Sequence, residues 1–112
     1  MSTVAAIATP NAAGGISVIR ISGENALDVA ARVFKGKNPL EMDGYIHDNG
    51  EFLDDVVLTV FKAPKSYTGE NIAEISCHGG IFISRRILRL VLKNGAELAP
   101  AGEFTKRAFL NG

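Results

Sequence analysis

The chain has 112 residues, of which 46% are hydrophobic and 21% charged, and this composition is typical of one globular domain with a buried core. Twelve basic residues balance twelve acidic residues, which excludes an overall positive field that would attract nucleic acid. No apolar run approaches the roughly 20 residues that span a bilayer, which excludes insertion into a membrane.

The first predicted elements are two strands joined by a loop. Residues 4–8 form a short apolar run, and residues 11–15 contain paired glycines that favour a turn. Residues 16–22 are rich in β-branched side chains, which predicts a second strand. Side chains alternate between the faces of a strand, so Arg20 lies within this strand on the same face as Val18.

A helix and a hairpin are predicted next. After Gly23, helical spacing of apolar residues predicts about three helical turns that end near Gly36, with an apolar stripe of Leu27, Ala30, Ala31 and Phe34. Residues 45–48 and 52–61 flank the Asn49-Gly50 pair, which is typical of a hairpin with a tight primed turn. The second hairpin strand is too continuously apolar to be an edge strand facing water.

Residues 65–70 form a polar loop before a predicted strand at residues 71–77, whose Ile72, Glu74 and Ser76 share one unexpectedly polar side. Gly79-Gly80 then opens a predicted helix at residues 81–94, which Gly95 ends. Its core stripe is predicted to be Ile83, Ile87, Leu90 and Val91, and its outer face Arg85, Arg86, Arg89 and Lys93.

The last predicted elements are a short extended piece at residues 96–98 and a helix at residues 103–110. This helix presents Phe104, Ala108 and Phe109, which need a surface to cover them, so we expect the natural protein to continue beyond Gly112. Strands and helices alternate irregularly around one clear hairpin. The predicted fold class is therefore α+β, with a mixed sheet in two layers and helices mainly on one face.

Patterns typical of nucleotide and metal sites are weak. Gly36-Lys37 lacks the spacing of a phosphate-binding loop, and Gly14-Gly15 lies between two predicted strands and not before a helix. We predict no metal site, because Cys77 and His78 lack further ligands nearby, and we interpret Cys77 as a buried thiol. A single cysteine and an amino terminus unlike a signal peptide indicate a reducing cytoplasm.

Two charged features have open interpretations. Arg85, Arg89 and Lys93 follow helical spacing, so they form either a solvated helix face or a surface that contacts RNA phosphates. Arg20 and Glu74 each lie within an apolar strand, where an ionised side chain needs a partner. They form either a cross-strand ion pair with a purely structural role or the charged lining of a ligand pocket.

Five segments in order resemble the amino-terminal domain of the MnmE/TrmE tRNA-modification GTPases along essentially the whole chain. The segments are residues 8–10 with Gly14-Gly15, 19–23, 66–70, 74–80 and 102–111. The resemblance implies that residues 1–112 are the amino-terminal domain of a longer GTPase whose helical and GTPase domains lie outside this chain. It also implies a fold similar to the folate-binding domain of aminomethyltransferases. Pro100-Ala101-Gly102 departs from the arginine, proline and glycine expected there.

The resemblance further implies that Arg20 and Glu74 bind 5-formyltetrahydrofolate or another tetrahydrofolate derivative, together with a lysine expected just after Gly112. A carboxylate suits the paired N–H donors of a pterin ring. The implied partners are a second copy of the chain, the flavoprotein MnmG and tRNA, whose wobble uridine is modified at C5. GTP, magnesium and potassium would bind only in the GTPase domain, and no catalytic residue is expected here. The alternatives are a fragment of a folate-dependent aminomethyltransferase and a purely structural dimerisation module.

Overall fold

A computed structural model describes residues 1–9, 15–37 and 42–112. Its described part contains a mixed sheet with strand order β3-β4-β5-β6-β2-β1-β7, in which β7 is parallel to β1 and the other neighbours are antiparallel. The strands are β1 (Val4–Ile7), β2 (Ser17–Ser22), β3 (Phe34–Gly36), β4 (Asp43–Asp48), β5 (Glu51–Phe61), β6 (Ile72–Cys77) and β7 (Glu97–Leu98). The helices are α1 (Ala26–Val33), α2 (Gly80–Lys93) and α3 (Glu103–Leu110). The predicted α+β class with a mixed sheet is confirmed.

The core lies between the sheet and the first two helices. Ile19 and Ile75 are fully buried, and they cluster with Val29 of α1 and Ile87 of α2. Because neighbouring strand residues point to opposite faces, Arg20 and Glu74 lie on the other face. Helix α3 reaches that face, so the three helices do not all lie on one side.

Helix α1 is shorter than predicted and its buried stripe is different. It ends at Val33, because Phe34 is extended, with φ −110° and ψ 137°, and pairs with Ile46 as part of β3. The fully buried residues are Ala26, Val29, Ala30 and Val33. Of the predicted stripe, Ala30 is buried, Leu27 and Phe34 are partly buried against the core, and Ala31 is exposed, so the prediction was wrong for Ala31. The backbone of Phe34 pairs with β4 and so leaves the helical conformation. This tertiary contact ends α1.

The predicted hairpin is confirmed. Asn49 and Gly50 both have positive φ, 50° and 90°, as a primed turn requires. Strand β5 lies between β4 and β6, so its apolar second half is not an edge. One feature was not predicted: the register shifts after Ile46, which leaves Leu53 as the extra residue of a bulge.

The later elements match their predicted positions. In α2 the side chains of Ile87, Leu90 and Val91 are buried as predicted, together with Ser84, whereas Ile83 is only partly buried. Apart from Gly15, the predicted loop at residues 11–15 lies outside the described residues. Within the described parts of the chain, no helix has the length and apolar character that crossing a membrane requires.

Candidate ligand-binding site

Arg20 and Glu74 lie directly opposite each other on the adjacent strands β2 and β6. The Arg20 Nε donates a hydrogen bond of 2.7 Å to Oε2 of Glu74. About a fifth of each side chain remains exposed, 23% for Arg20 and 22% for Glu74. The ion pair that the sequence allowed is therefore formed, and each charge partly compensates the burial of the other.

Two aromatic side chains flank the guanidinium of Arg20. Its Cζ lies 5.4 Å from the ring centroid of Tyr67 and 5.2 Å from that of Phe104, both within the range of cation–π attraction. Tyr67 comes from the loop before β6, and Phe104 comes from the first turn of α3. The Tyr67 hydroxyl also lies 3.0 Å from Oγ1 of Thr105, which joins the loop to the helix. These contacts hold Arg20 in one orientation.

A cleft of about 320 Å³ lies beside Arg20. One wall is the end of β1, and the other is formed by Tyr67 and the start of α3. The lining residues are Ala6, Ile7, Ala8, Arg20, Tyr67, Ala99, Pro100, Ala101, Gly102, Phe104 and Thr105. Glu74 does not line the cleft and reaches it only through Arg20. The structure thus contains both features that the sequence left as alternatives, an ion pair and a neighbouring cavity.

Arg107 of α3 is the charged residue that sequence analysis missed. Only 2% of its side chain is exposed, and it bridges Glu103 and Glu70. Its Nε lies 2.9 Å from Glu103 Oε2, and its Nη1 lies 3.0 Å from Glu70 Oε1. Burial lowers the pKa of Arg107, but the hydrogen bonds to Glu103 and Glu70 outweigh burial and raise the pKa above its usual value. The Glu103 and Arg107 spacing of four residues was the available signal.

The same network fixes the loop that carries Tyr67. The Ser22 hydroxyl donates to Oε1 of Glu70 at 2.8 Å and lies 2.7 Å from Oγ1 of Thr68. Gly69 has φ +80°, and a Cβ there would lie 2.8 Å from Cβ of Asn111. The amide of Asn111 in turn donates to the carbonyl of Thr68 at 2.9 Å. Hydrogen bonds from α3 and from the residue that follows it therefore hold the Tyr67 loop against the helix, and the two together form one cleft wall.

Cys77 has the inert environment expected of a core thiol. It is fully buried on the helix-covered face, while His78 is exposed. Burial raises the pKa of the Cys77 thiol, and the nearby charge of Asp54 raises it further. Across residues 1–9, 15–37 and 42–112, no group of three or more His, Cys, Asp or Glu side chains is placed to hold a metal ion.

The outer face of α2 is basic, as predicted. Arg85, Arg86, Arg89 and Lys93 are exposed, and α2 contains no acidic residue. Among the described residues none of the four forms an ion pair. Like charges three or four positions apart destabilise an isolated helix by roughly 0.2 to 0.5 kcal/mol per pair. This repulsion lowers the stability of α2, and the helix offsets it only at Lys93, which lies in the last turn near the negative end of the helix dipole.

Comparison with known proteins gives a match along nearly the whole chain. A family described as "GTP-binding protein TrmE N-terminus" matches residues 3–112. Proteins named tRNA modification GTPase MnmE are similar over 98% of the chain: 51% identical in Caldicellulosiruptor saccharolyticus, 52% in Levilactobacillus brevis and 50% in Lactobacillus acidophilus. The chain covers 26%, 25% and 26% of these relatives, so it spans about a quarter of their length.

Proposed function

The chain belongs to the family of TrmE amino-terminal domains, and from this premise we propose that it binds a reduced folate in the Arg20 cleft and pairs with a second copy of itself. In this proposal residues 1–112 are the amino-terminal domain of a longer GTPase that modifies tRNA. The supporting observation is the Arg20 guanidinium, which aromatic rings and a carboxylate hold at the edge of a cleft.

The residues around the cleft suit part of a folate molecule. The cleft volume of about 320 Å³ is at the lower end of the roughly 300 to 1,000 Å³ that is usual for ligand pockets. A flat heteroaromatic ring complements Tyr67 and Phe104, and a guanidinium complements carbonyl or carboxylate oxygens. The cleft therefore fits a pterin-sized group, while the remainder of a folate would extend beyond the residues that line it.

Arg20 and Glu74 have separate roles in this proposal. Among the described residues, Glu74 occupies only Nε of Arg20, so both Nη groups remain available to ligand oxygens. Glu74 holds the guanidinium in position, and its second oxygen, Oε1, can accept from a pterin N–H where the ligand extends past the cleft lining to Glu74. When bound, 5-formyltetrahydrofolate or another tetrahydrofolate derivative supplies a one-carbon unit. The lysine expected after Gly112 would add a further contact.

Dimerisation is supported by apolar side chains on the sheet face opposite α1 and α2. Val57 and Phe61 of β5 lie on that face and are exposed. Phe109 of α3 is 84% exposed. The sequence predicts that the apolar side chains of this helix need a further surface to pack against. Exposed apolar groups of this kind favour a protein partner, and a second copy of the chain is the partner that the family resemblance implies.

The remaining functions concern the longer protein. We propose that it hydrolyses GTP and acts with the flavoprotein MnmG on C5 of the wobble uridine of tRNA in the cytoplasm. GTP, magnesium and potassium would bind outside the present chain. The relatives, which are named as GTPases, favour this proposal over a fragment of an aminomethyltransferase. We also propose that the fold is similar to that of the folate-binding domain of aminomethyltransferases.

A purely structural dimerisation module is the second candidate, because the ion pair of Arg20 with Glu74 already satisfies both charges. Calorimetric titration with 5-formyltetrahydrofolate separates the two candidates. Saturable heat from the folded chain is expected if the cleft binds folate. No heat, from a chain shown to be folded by circular dichroism, would leave the structural module as the better account.

A further inference from the structure

The basic face of α2 consists of Arg85, Arg86, Arg89 and Lys93, and shallow clefts lie on both of its sides. Arg86, Arg89 and Lys93 line a groove of about 180 Å³ beside the β4–β5 hairpin, together with Asp48 and Leu53. Arg85 and Arg89 line a second groove of about 230 Å³ on the side of Leu98 in β7. Arg89 lies between the two grooves, so the four cations form one continuous surface.

Exposure to solvent alone does not explain why four cations lie together on this face of α2. Lys93 lies in the last turn of α2, where a cation interacts favourably with the helix dipole. Arg85 and Arg86 lie near the middle of the helix, where that effect is small. Neighbouring carboxylates would usually offset such a row of cations. Asp48 is the carboxylate that lines the groove, and it forms no ion pair with them among the described residues.

The basic face is suited to a polyanion and not to a membrane surface. A membrane-bound amphipathic helix buries its apolar side in lipid. The apolar side of α2 instead packs on the sheet, where Ile87, Leu90 and Val91 are buried. Arg86 and Lys93 are seven residues apart, or about 10 Å along the helix axis. This length exceeds the roughly 3.4 Å axial repeat of phosphates in a nucleic-acid strand, so the face can contact more than one phosphate.

We propose that Arg86, Arg89 and Lys93, assisted by Arg85, bind consecutive phosphates of an RNA backbone in the groove between α2 and the hairpin. This assignment rests on the proposed role in tRNA modification and adds the surface that contacts the RNA. Guanidinium groups bind phosphate oxygens in paired hydrogen bonds. Contacts to phosphates position the RNA and carry no base specificity of their own.

The test is fluorescence anisotropy with a fluorescein-labelled, unmodified tRNA transcript, measured from about 50 to about 200 mM salt. The variant Arg86→Gln/Arg89→Gln/Lys93→Gln should bind at least roughly ten-fold more weakly. Its slope of log affinity against log salt should be shallower by roughly 0.7 to 0.9 for each phosphate that the variant no longer neutralises. All three side chains are exposed, so the thermal unfolding curve should stay close to that of the unsubstituted chain.

The matched control is Lys35→Gln/Lys62→Gln/Lys106→Gln, which removes the same charge from exposed positions outside α2. It should keep most of the affinity and the original salt slope. Equally weakened binding in the two variants, unchanged binding in both, or no tRNA binding by the unsubstituted chain would overturn the proposal. Binding to phosphatidylserine vesicles in place of tRNA would overturn it as well. The titration contains no folate, so failure of the folate cleft leaves this result unchanged.

Discussion

Arg107 and Glu70 are 37 residues apart in the chain, yet Nη1 of the almost fully buried Arg107 lies 3.0 Å from Oε1 of the partly buried Glu70. The same guanidinium nitrogen also lies 3.4 Å from the carbonyl oxygen of Ser22 at the end of β2. Arg107 thereby joins α3, the Tyr67 loop and the sheet. This contact supports the cleft wall that Tyr67 and the start of α3 form.

Replacing Arg107 by Met should destabilise the chain by about 3 kcal/mol, because Glu70 and Glu103, whose side chains are 18% and 15% exposed, would keep largely buried charges without their shared partner. Urea unfolding followed by circular dichroism measures this change. The control is Lys106→Met, at the neighbouring exposed position, which should change the unfolding free energy by less than about 0.5 kcal/mol. Similar small effects of both substitutions would contradict the proposed role of the Arg107 network.

Gly69→Ala should destabilise the chain for two reasons: its φ is +80°, and the added Cβ would meet Asn111. Gly50→Ala is the matched control, since Gly50 has φ +90° but open space around it. Gly50→Ala should cost roughly 1 kcal/mol from backbone strain alone, and Gly69→Ala should cost more. Thermal or urea unfolding compares the two. Equal destabilisation would show that the contact with Asn111 is unimportant.

The thiol of Cys77 should be unreactive in the folded chain at about pH 8 and reactive in urea, because the folded state excludes solvent and raises its pKa. Absorbance with Ellman's reagent measures the difference. Rapid stoichiometric reaction of the folded chain would contradict the buried environment.

The raised pKa of Cys77 also predicts a pH dependence of stability. The thiol stabilises the folded state below the unfolded-state pKa of about 8.5, and this contribution is lost as the pH rises through the higher folded-state value. Urea midpoints should therefore fall at alkaline pH, and they should fall less for Cys77→Ala. An identical alkaline decline in both proteins would assign the effect to other groups.

The chain should form a dimer whose population rises with protein concentration in sedimentation velocity. Val57→Lys places a charge on the uncovered sheet face and should shift the population to monomer. Phe82→Lys is the control, at an exposed apolar position on α2. A well-behaved monomer at all concentrations, or equal shifts in both variants, would count against dimerisation through this face.

Local patterns predicted the elements that depend on neighbouring residues. The Asn49-Gly50 pair fixed the hairpin turn, because both residues tolerate positive φ. Period-two alternation correctly placed Arg20 on the same strand face as Val18, and Glu74 on the same strand face as Ser76. The sequence could not decide whether these charges pair, because a cross-strand register depends on how β2 and β6 align.

Features that depend on distant contacts were missed. Phe34 follows the helical spacing of the residues before it, yet pairing with Ile46 makes it a strand residue. Arg107 has the sequence pattern of a surface residue on a short helix, because the chain gives no local sign that Glu70 lies beside it. Whether a charged side chain can be buried depends on its partner, and Glu70, the distant partner of Arg107, comes from a separate loop.

The proposed folate cleft is tested most directly by calorimetric titration of Arg20→Met with 5-formyltetrahydrofolate, beside the unsubstituted chain and the control Arg32→Met. Arg32 is an exposed arginine in the last turn of α1 and does not line the cleft. The unsubstituted chain and Arg32→Met should bind alike, while folded Arg20→Met should bind roughly ten-fold or more weakly. Unchanged binding by Arg20→Met, or no binding by the unsubstituted chain, would contradict folate binding in the Arg20 cleft.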